Sequence, residues 1–165
     1  MYEKGSDELM VNTVIVDTSS FISEQCDFLG MESKLIPSFF QLLGERGIEL
    51  LSHPILISEG KQHIPDCIPE KFARLKKSLL RYKDCLPFIG ISADKAIQAI
   101  DDICITQKTV AAFEEFFAKA IMLPYPAPET IFSNYFSHMA PFQERGKKKS
   151  EFPDAFVIEA IKAYQ

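Results

Sequence analysis

The feature that most constrains the fold of this chain lies near its start, in VNTVIVDTSS, residues 11 to 20. Val14, Ile15 and Val16 are consecutive, apolar and β-branched. Branching at Cβ favours extended backbone. An unbroken apolar run, without alternation, marks a strand covered on both faces, as in parallel sheets. The run stops at Asp17, and Ser19 or Ser20 then offers a cap for the next turn. A strand covered on both faces needs helices to cover it, and the following segments supply them. SKLIPSFFQLLGERG has helical spacing, with Pro37 suited to a first turn and Gly44 and Gly47 to an end. IELLS, residues 48 to 52, is a second short strand, and Pro54 opens a helix over PILISEGKQHI. Strand, helix, strand, helix predicts a parallel α/β unit.

The middle of the chain reads as helical. EKFARLKKSLLRYKD sets Phe72, Leu75, Leu79 and Leu80 against Lys71, Arg74, Lys76, Lys77 and Arg81. SADKAIQAIDDICITQKTVAAFEEFFAKAIML carries a long or broken apolar stripe. PYPAP, residues 124 to 128, is the clear breaker. DAFVIEAIKAY closes the chain as a helix that is apolar nearly all round, and so is expected to be buried. The expected fold is a single α/β domain over residues 1–165, with a small parallel sheet surrounded by many helices. Residues 1–11 form a flexible N-terminus and residues 66–145 a helical middle region.

Composition narrows the functional classes. There are 18 Lys and Arg against 23 Asp and Glu, a formal balance of -5, which argues against binding nucleic acid through the whole surface. Cys26, Cys67, Cys85 and Cys104 form no CxxC, and no His pair has zinc spacing. They read as reduced, partly buried thiols of an intracellular protein. The N-terminus lacks the apolar segment of a signal peptide, and no run approaches a membrane span, so the expected setting is cytoplasmic. Fourteen Phe and no Trp predict a phenylalanine-rich core. No glycine-rich phosphate loop is present, which argues against an ATPase or kinase.

Three acids stand where chemistry is possible. Asp17 follows the first strand, and ligands of open parallel sheets bind beyond the carboxyl ends of strands. An Asx turn or helix cap explains it equally well. Glu59 lies in the helix after the second strand, beside Ile55, Leu56 and Ile57. Taken alone it is an ordinary surface glutamate. Asp154 follows Pro153 in the first turn of the closing helix, where the helix dipole favours an acid. Capping alone accounts for it.

As an ordered set they resemble the PIN domain, a metal-dependent nuclease fold. VIVDTSSFI resembles its opening hydrophobic-Asp-Thr-Asn/Ser box, ILISEGKQHI its helix with the second acid, and EFPDAFVIEAI its later box with the third. GKKKSEFPDAF is similar to a subgroup in which lysines precede Glu-Phe-Pro-Asp. The resemblance implies that Asp17, Glu59 and Asp154 are metal-binding and catalytic acids, with Ser19 and Glu151 accessory. It implies Mg²⁺ or Mn²⁺, hard ions suited to oxygen ligands. It also implies cleavage of single-stranded RNA by metal-activated water, in other words an endoribonuclease, a hydrolase. Clustered carboxylates repel, so such a site without metal is strained or partly protonated. Arg145, Lys147, Lys148 and Lys149 directly precede the third box and read either as phosphate contacts or as a solvated loop.

The family usually continues past the third-acid helix into another strand with a further Asp, and this sequence shows neither. An open sheet edge is therefore expected, covered by a second copy or a partner protein. The same departure supports an alternative, a catalytically weak or inactive PIN-like binding or scaffold module. A phosphohydrolase of the haloacid dehalogenase type is a further competitor, but it needs Asp-x-Asp where this chain has Asp17-Thr18-Ser19.

Overall fold

A computed structural model describes residues 12–142 and 151–164 of the chain. The run that opens the sequence forms β1 (Thr13–Ile15), and Asp17 then caps α1 (Thr18–Ser23). α2 (Leu35–Arg46) ends on Gly47, whose φ of 64° is the left-handed conformation that glycine adopts without a Cβ penalty. β2 (Glu49–Ser52) follows, then α3 (Pro54–Arg81), a 3-10 turn (Leu86–Ile89), α4 (Ala93–Asp102) and α5 (Ile105–Phe117). β3 (Ile121–Met122), α6 (Pro128–Phe136) and α7 (Phe152–Tyr164) complete the order.

The sheet is parallel, in the order β1-β2-β3. Ile15 pairs with Leu51, and Ser52 with Met122. Parallel neighbours need crossovers, and helices supply both of them here. β3 lies within the stretch predicted as helix. Ile121 and Met122 are apolar, but only two residues pair, too few for a sequence signal. The predicted stripe is also broken, at Cys104, whose φ is 45°.

The two helices predicted from Pro54 onward are one, 28 residues long. Pro65 and Pro69 each remove a backbone donor, yet the helix runs through them. Leu56, Gly60, Ile64 and Ile68 recur every fourth residue and are all buried, while both prolines are exposed. The apolar stripe holds α3 in place, and its faults face solvent. Gly60 is required by this packing: a Cβ there would meet the Phe113 ring at 2.6 Å.

The core is phenylalanine-rich. Phe28 meets Phe113 edge-on at 5.2 Å, Phe21 meets Phe117 at 5.8 Å, and Phe40 stacks on Phe116 at 4.4 Å. These rings join α1, α2 and α5 against α3. A second cluster of Ile131, Phe142 and Ala155, with Tyr135, Phe152 and Phe156 packed against it, seats α7 on α6. α7 is less buried than its composition suggests. Ala155 and Ala160 are enclosed, but Asp154 and Ile158 are exposed. All four cysteines are free, with Cys26 buried and Cys85 and Cys104 exposed. Among the described residues no helix is long and apolar enough to cross a membrane.

Candidate metal centre

The strands are parallel, so their carboxyl ends share one edge, and Asp17 leaves that edge from β1. The N-cap of α1 is Asp17 rather than Ser19 or Ser20. Its carboxylate accepts a bond from the Ser19 N–H at 3.2 Å, and the Ser19 hydroxyl donates to the same oxygen, Oδ2. The other oxygen takes part in neither bond. Ser19 thus holds the Asp17 side chain from two directions.

Asp154 reaches the same place from the opposite end of the sequence. Both acids line a pocket of about 310 Å³, together with Leu56, Pro141, Val157 and Ile158. Val157 and Ile158 lie three and four residues after Asp154, on one face of α7. Although Asp154 is exposed as a residue, its carboxyl is held above its ordinary value, first by partial desolvation and then by the negative charges of Asp17 and Glu151. Glu151 Oε2 is buried with no hydrogen-bond partner among the described residues. Asp17 and Glu151 are therefore both close enough to Asp154 to act on its carboxyl.

Glu59 is positioned differently. It lies on α3, three residues after the pocket-lining Leu56, and does not line the pocket itself. Its Oε2 accepts a hydrogen bond from the Thr18 hydroxyl at 3.0 Å. Thr18 is buried and adjoins Asp17, so it ties the second acid to the first. Thr18 is not among the residues the resemblance implies, although it directly follows Asp17 in the first box. Among the described residues no group of three or more His, Cys, Asp or Glu side chains is arranged to hold a metal ion. The structure thus brings Asp17 and Asp154 together, draws Glu151 toward them, and leaves Glu59 one threonine away. Arg145, Lys147, Lys148 and Lys149 lie outside the described residues.

His53 caps α3: its Nδ1 accepts from the Ile55 N–H at 3.2 Å. The residue is buried, and burial holds the imidazole below its ordinary value. A larger groove, about 470 Å³, lies at the other end of the sheet, between α2 and α5, beside Ile48, Glu49 and Ile121. Glu49 and Glu115 line it, but it faces the amino ends of the strands, whereas ligands of open parallel sheets bind beyond the carboxyl ends.

The family model for the PIN domain matches residues 14–165. The chain belongs to the PIN domain family. No curated protein and no solved structure matches it. The PIN fold is nuclease-like, and the small parallel sheet with helices on its faces conforms to it. In this PIN domain the first and third acidic boxes are the two that meet in the pocket.

Proposed function

We propose that the protein is a metal-dependent endoribonuclease that cuts single-stranded RNA. The observation that carries this reading is the convergence of Asp17 and Asp154 on one pocket at the carboxyl edge of the sheet. The donor set fits a divalent cation. Its groups are all hard oxygens, their charges repel at Asp154, and one buried Glu151 oxygen lacks a hydrogen-bond partner among the described residues. Asp17 and Asp154 would hold the ion, with Glu151 and Glu59 completing the set. When bound there, Mg²⁺ or Mn²⁺ supplies an acidified water and neutralises charge on the phosphate.

The remaining residues orient and shield. Ser19 fixes the Asp17 carboxylate, and Thr18 fixes that of Glu59. Leu56, Pro141, Val157 and Ile158 supply apolar walls beside the two acids. Family membership supports RNA as the substrate, and the position of Arg145, Lys147, Lys148 and Lys149 directly before the third box supports phosphate contacts there.

The test is cleavage of a labelled single-stranded RNA in Mg²⁺ or Mn²⁺. Asp17→Asn abolishes cleavage, and so does excess chelator. Unchanged activity in either case refutes the reading. The absence of a three-ligand group among the described residues favours a second reading, a PIN-like binding module of little or no activity. Calorimetric titration separates the two: no heat at millimolar Mn²⁺ supports the module.

A further inference from the structure

Asp17, His53 and Tyr125 leave the carboxyl edge of the sheet from β1, β2 and β3 in turn. His53 directly follows Ser52, the last residue of β2. The Leu123 N–H donates to the Ser52 carbonyl at 2.7 Å, which keeps the chain pinned to β2 just beyond β3. Leu123 is buried, and Pro124, Tyr125 and Pro126 come next. Prolines on either side of Tyr125 restrict its backbone.

The Tyr125 ring is open to solvent and yet held. It is 59% exposed. His53, fully buried, meets it edge-to-face with ring centroids 4.8 Å apart. Phe156 meets it from α7 at 6.2 Å, and α7 also carries Asp154. His53 spends its Nδ1 on the cap of α3, and its Nε2 has no hydrogen-bond partner among the described residues. A rigid aromatic ring with a free surface is what a base stacks on, in any sequence context. Adjacent strands are about 4.8 Å apart, so the two spacings from β1 to β3 set the strands that lead to Asp17 and Tyr125 on the order of 10 Å apart. That is the reach of a nucleotide neighbouring the phosphate at the acids.

We propose that Tyr125, backed by His53, is the stacking platform for a base of single-stranded RNA whose neighbouring phosphate enters the Asp17–Asp154 pocket. The proposal rests on the ribonuclease reading, and its test separates the two. The chain has no Trp, so one introduced Trp is a unique fluorophore. Tyr125→Trp is the reporter. Phe88→Trp is the control, an exposed residue of the 3-10 turn Leu86–Ile89 that follows the far end of α3, a 28-residue helix about 42 Å long. Both are made in the Asp17→Asn background and titrated in Mg²⁺ with a fluorescein-labelled single-stranded RNA, with anisotropy reading binding. Trp at 125 is quenched as RNA binds, and Trp at 88 is not. In the same background Tyr125→Ala weakens binding roughly tenfold, Tyr125→Phe changes it little, and an RNA abasic at one position loses the same factor on Tyr125 but nothing on Ala. RNA that binds without quenching Trp at 125, or with equal affinity to the Ala variant, overturns the platform and leaves the nuclease reading intact. RNA cut by Asp17→Asn overturns the nuclease reading, while the quench still decides the platform. RNA that does not bind at all overturns both.

Discussion

Asp27→Asn is expected to be among the most damaging single-atom changes in this chain, and the geometry gives its size. Asp27 is buried in the loop after α1. Its Oδ1 accepts from the Met31 N–H at 2.8 Å, and its Oδ2 from Glu32 at 2.7 Å and Ser33 at 2.9 Å. Lys71 of α3, also buried, has its Nζ 3.5 Å from Oδ2. Its other ion pair is with the exposed Glu32, at 3.3 Å. Asn keeps one accepting oxygen, and its amide faces backbone donors or Lys71 in either orientation. The buried ammonium then loses its buried counter-charge. Breaking a buried pair from one side costs about 3–5 kcal/mol. Lys71→Met removes the other charge, but Asp27 keeps three N–H donors and Met fills the space, so about 1–2 kcal/mol is expected. The double variant should cost less than the sum of the two, since the stranded charge is gone.

Urea denaturation at pH 7 measures all three variants, with a slope of about 1–3 kcal/mol/M for a protein of this size. A cost below about 1 kcal/mol for Asp27→Asn, or a larger cost for Lys71→Met than for Asp27→Asn, refutes the argument. The pH profile is a second check. Burial alone would raise the Asp27 carboxyl, but the Ser33, Glu32 and Met31 donors and the Lys71 charge outweigh it and hold it below its ordinary value. A carboxyl depressed in the fold stabilises fully above the unfolded value of about 3.9, and that stability is lost as pH falls through the folded one. The acid limb of the wild-type profile should therefore be shallower in Asp27→Asn.

Gly60→Ala places a Cβ 2.6 Å from the Phe113 ring and should cost about 1–3 kcal/mol, read as a lowered Tm, with reduced cleavage because Glu59 is the adjacent residue. Thr18→Val keeps the buried shape but removes the donor to Glu59. It should lower Mn²⁺ affinity in calorimetry while changing unfolding by only about 1 kcal/mol. Asp154→Asn should abolish cleavage and leave the metal-free protein as stable as wild type at pH 7, or more so. The Asp154 carboxyl is raised in the fold, so its ionised form opposes folding once pH exceeds the unfolded value, and Asn removes that opposition. A lower Tm at pH 7 in metal-free buffer counts against this.

Local pattern was enough for much of the fold. Val14, Ile15 and Val16 marked a strand because β-branching and unbroken hydrophobicity are local properties, but β1 spans Thr13–Ile15 at the sheet edge and is half-buried rather than covered on both faces. The helix after β2 and the acid in the first turn of α7 were legible for the same reason. β3 was not, because its two residues are a strand only by virtue of pairing with Leu51 and Ser52. The continuity of α3 was also hidden. Pro65 and Pro69 are local breakers, and only packing of the Leu56–Ile68 stripe overrides them.

The site divides along the same line. Which acids are present, the order in which they occur and the family they mark are all written in the chain itself. Nothing local distinguishes Asp17 or Asp154 from a helix cap, and Asp17 is in fact one. That Asp17 and Asp154 share a pocket, that Glu59 stands behind Thr18 and that Tyr125 meets His53 are properties of the folded chain. The physical reason is that Coulomb repulsion, hydrogen bonding and ring contact act over a few ångströms of space. The residues they join here lie far apart along the chain.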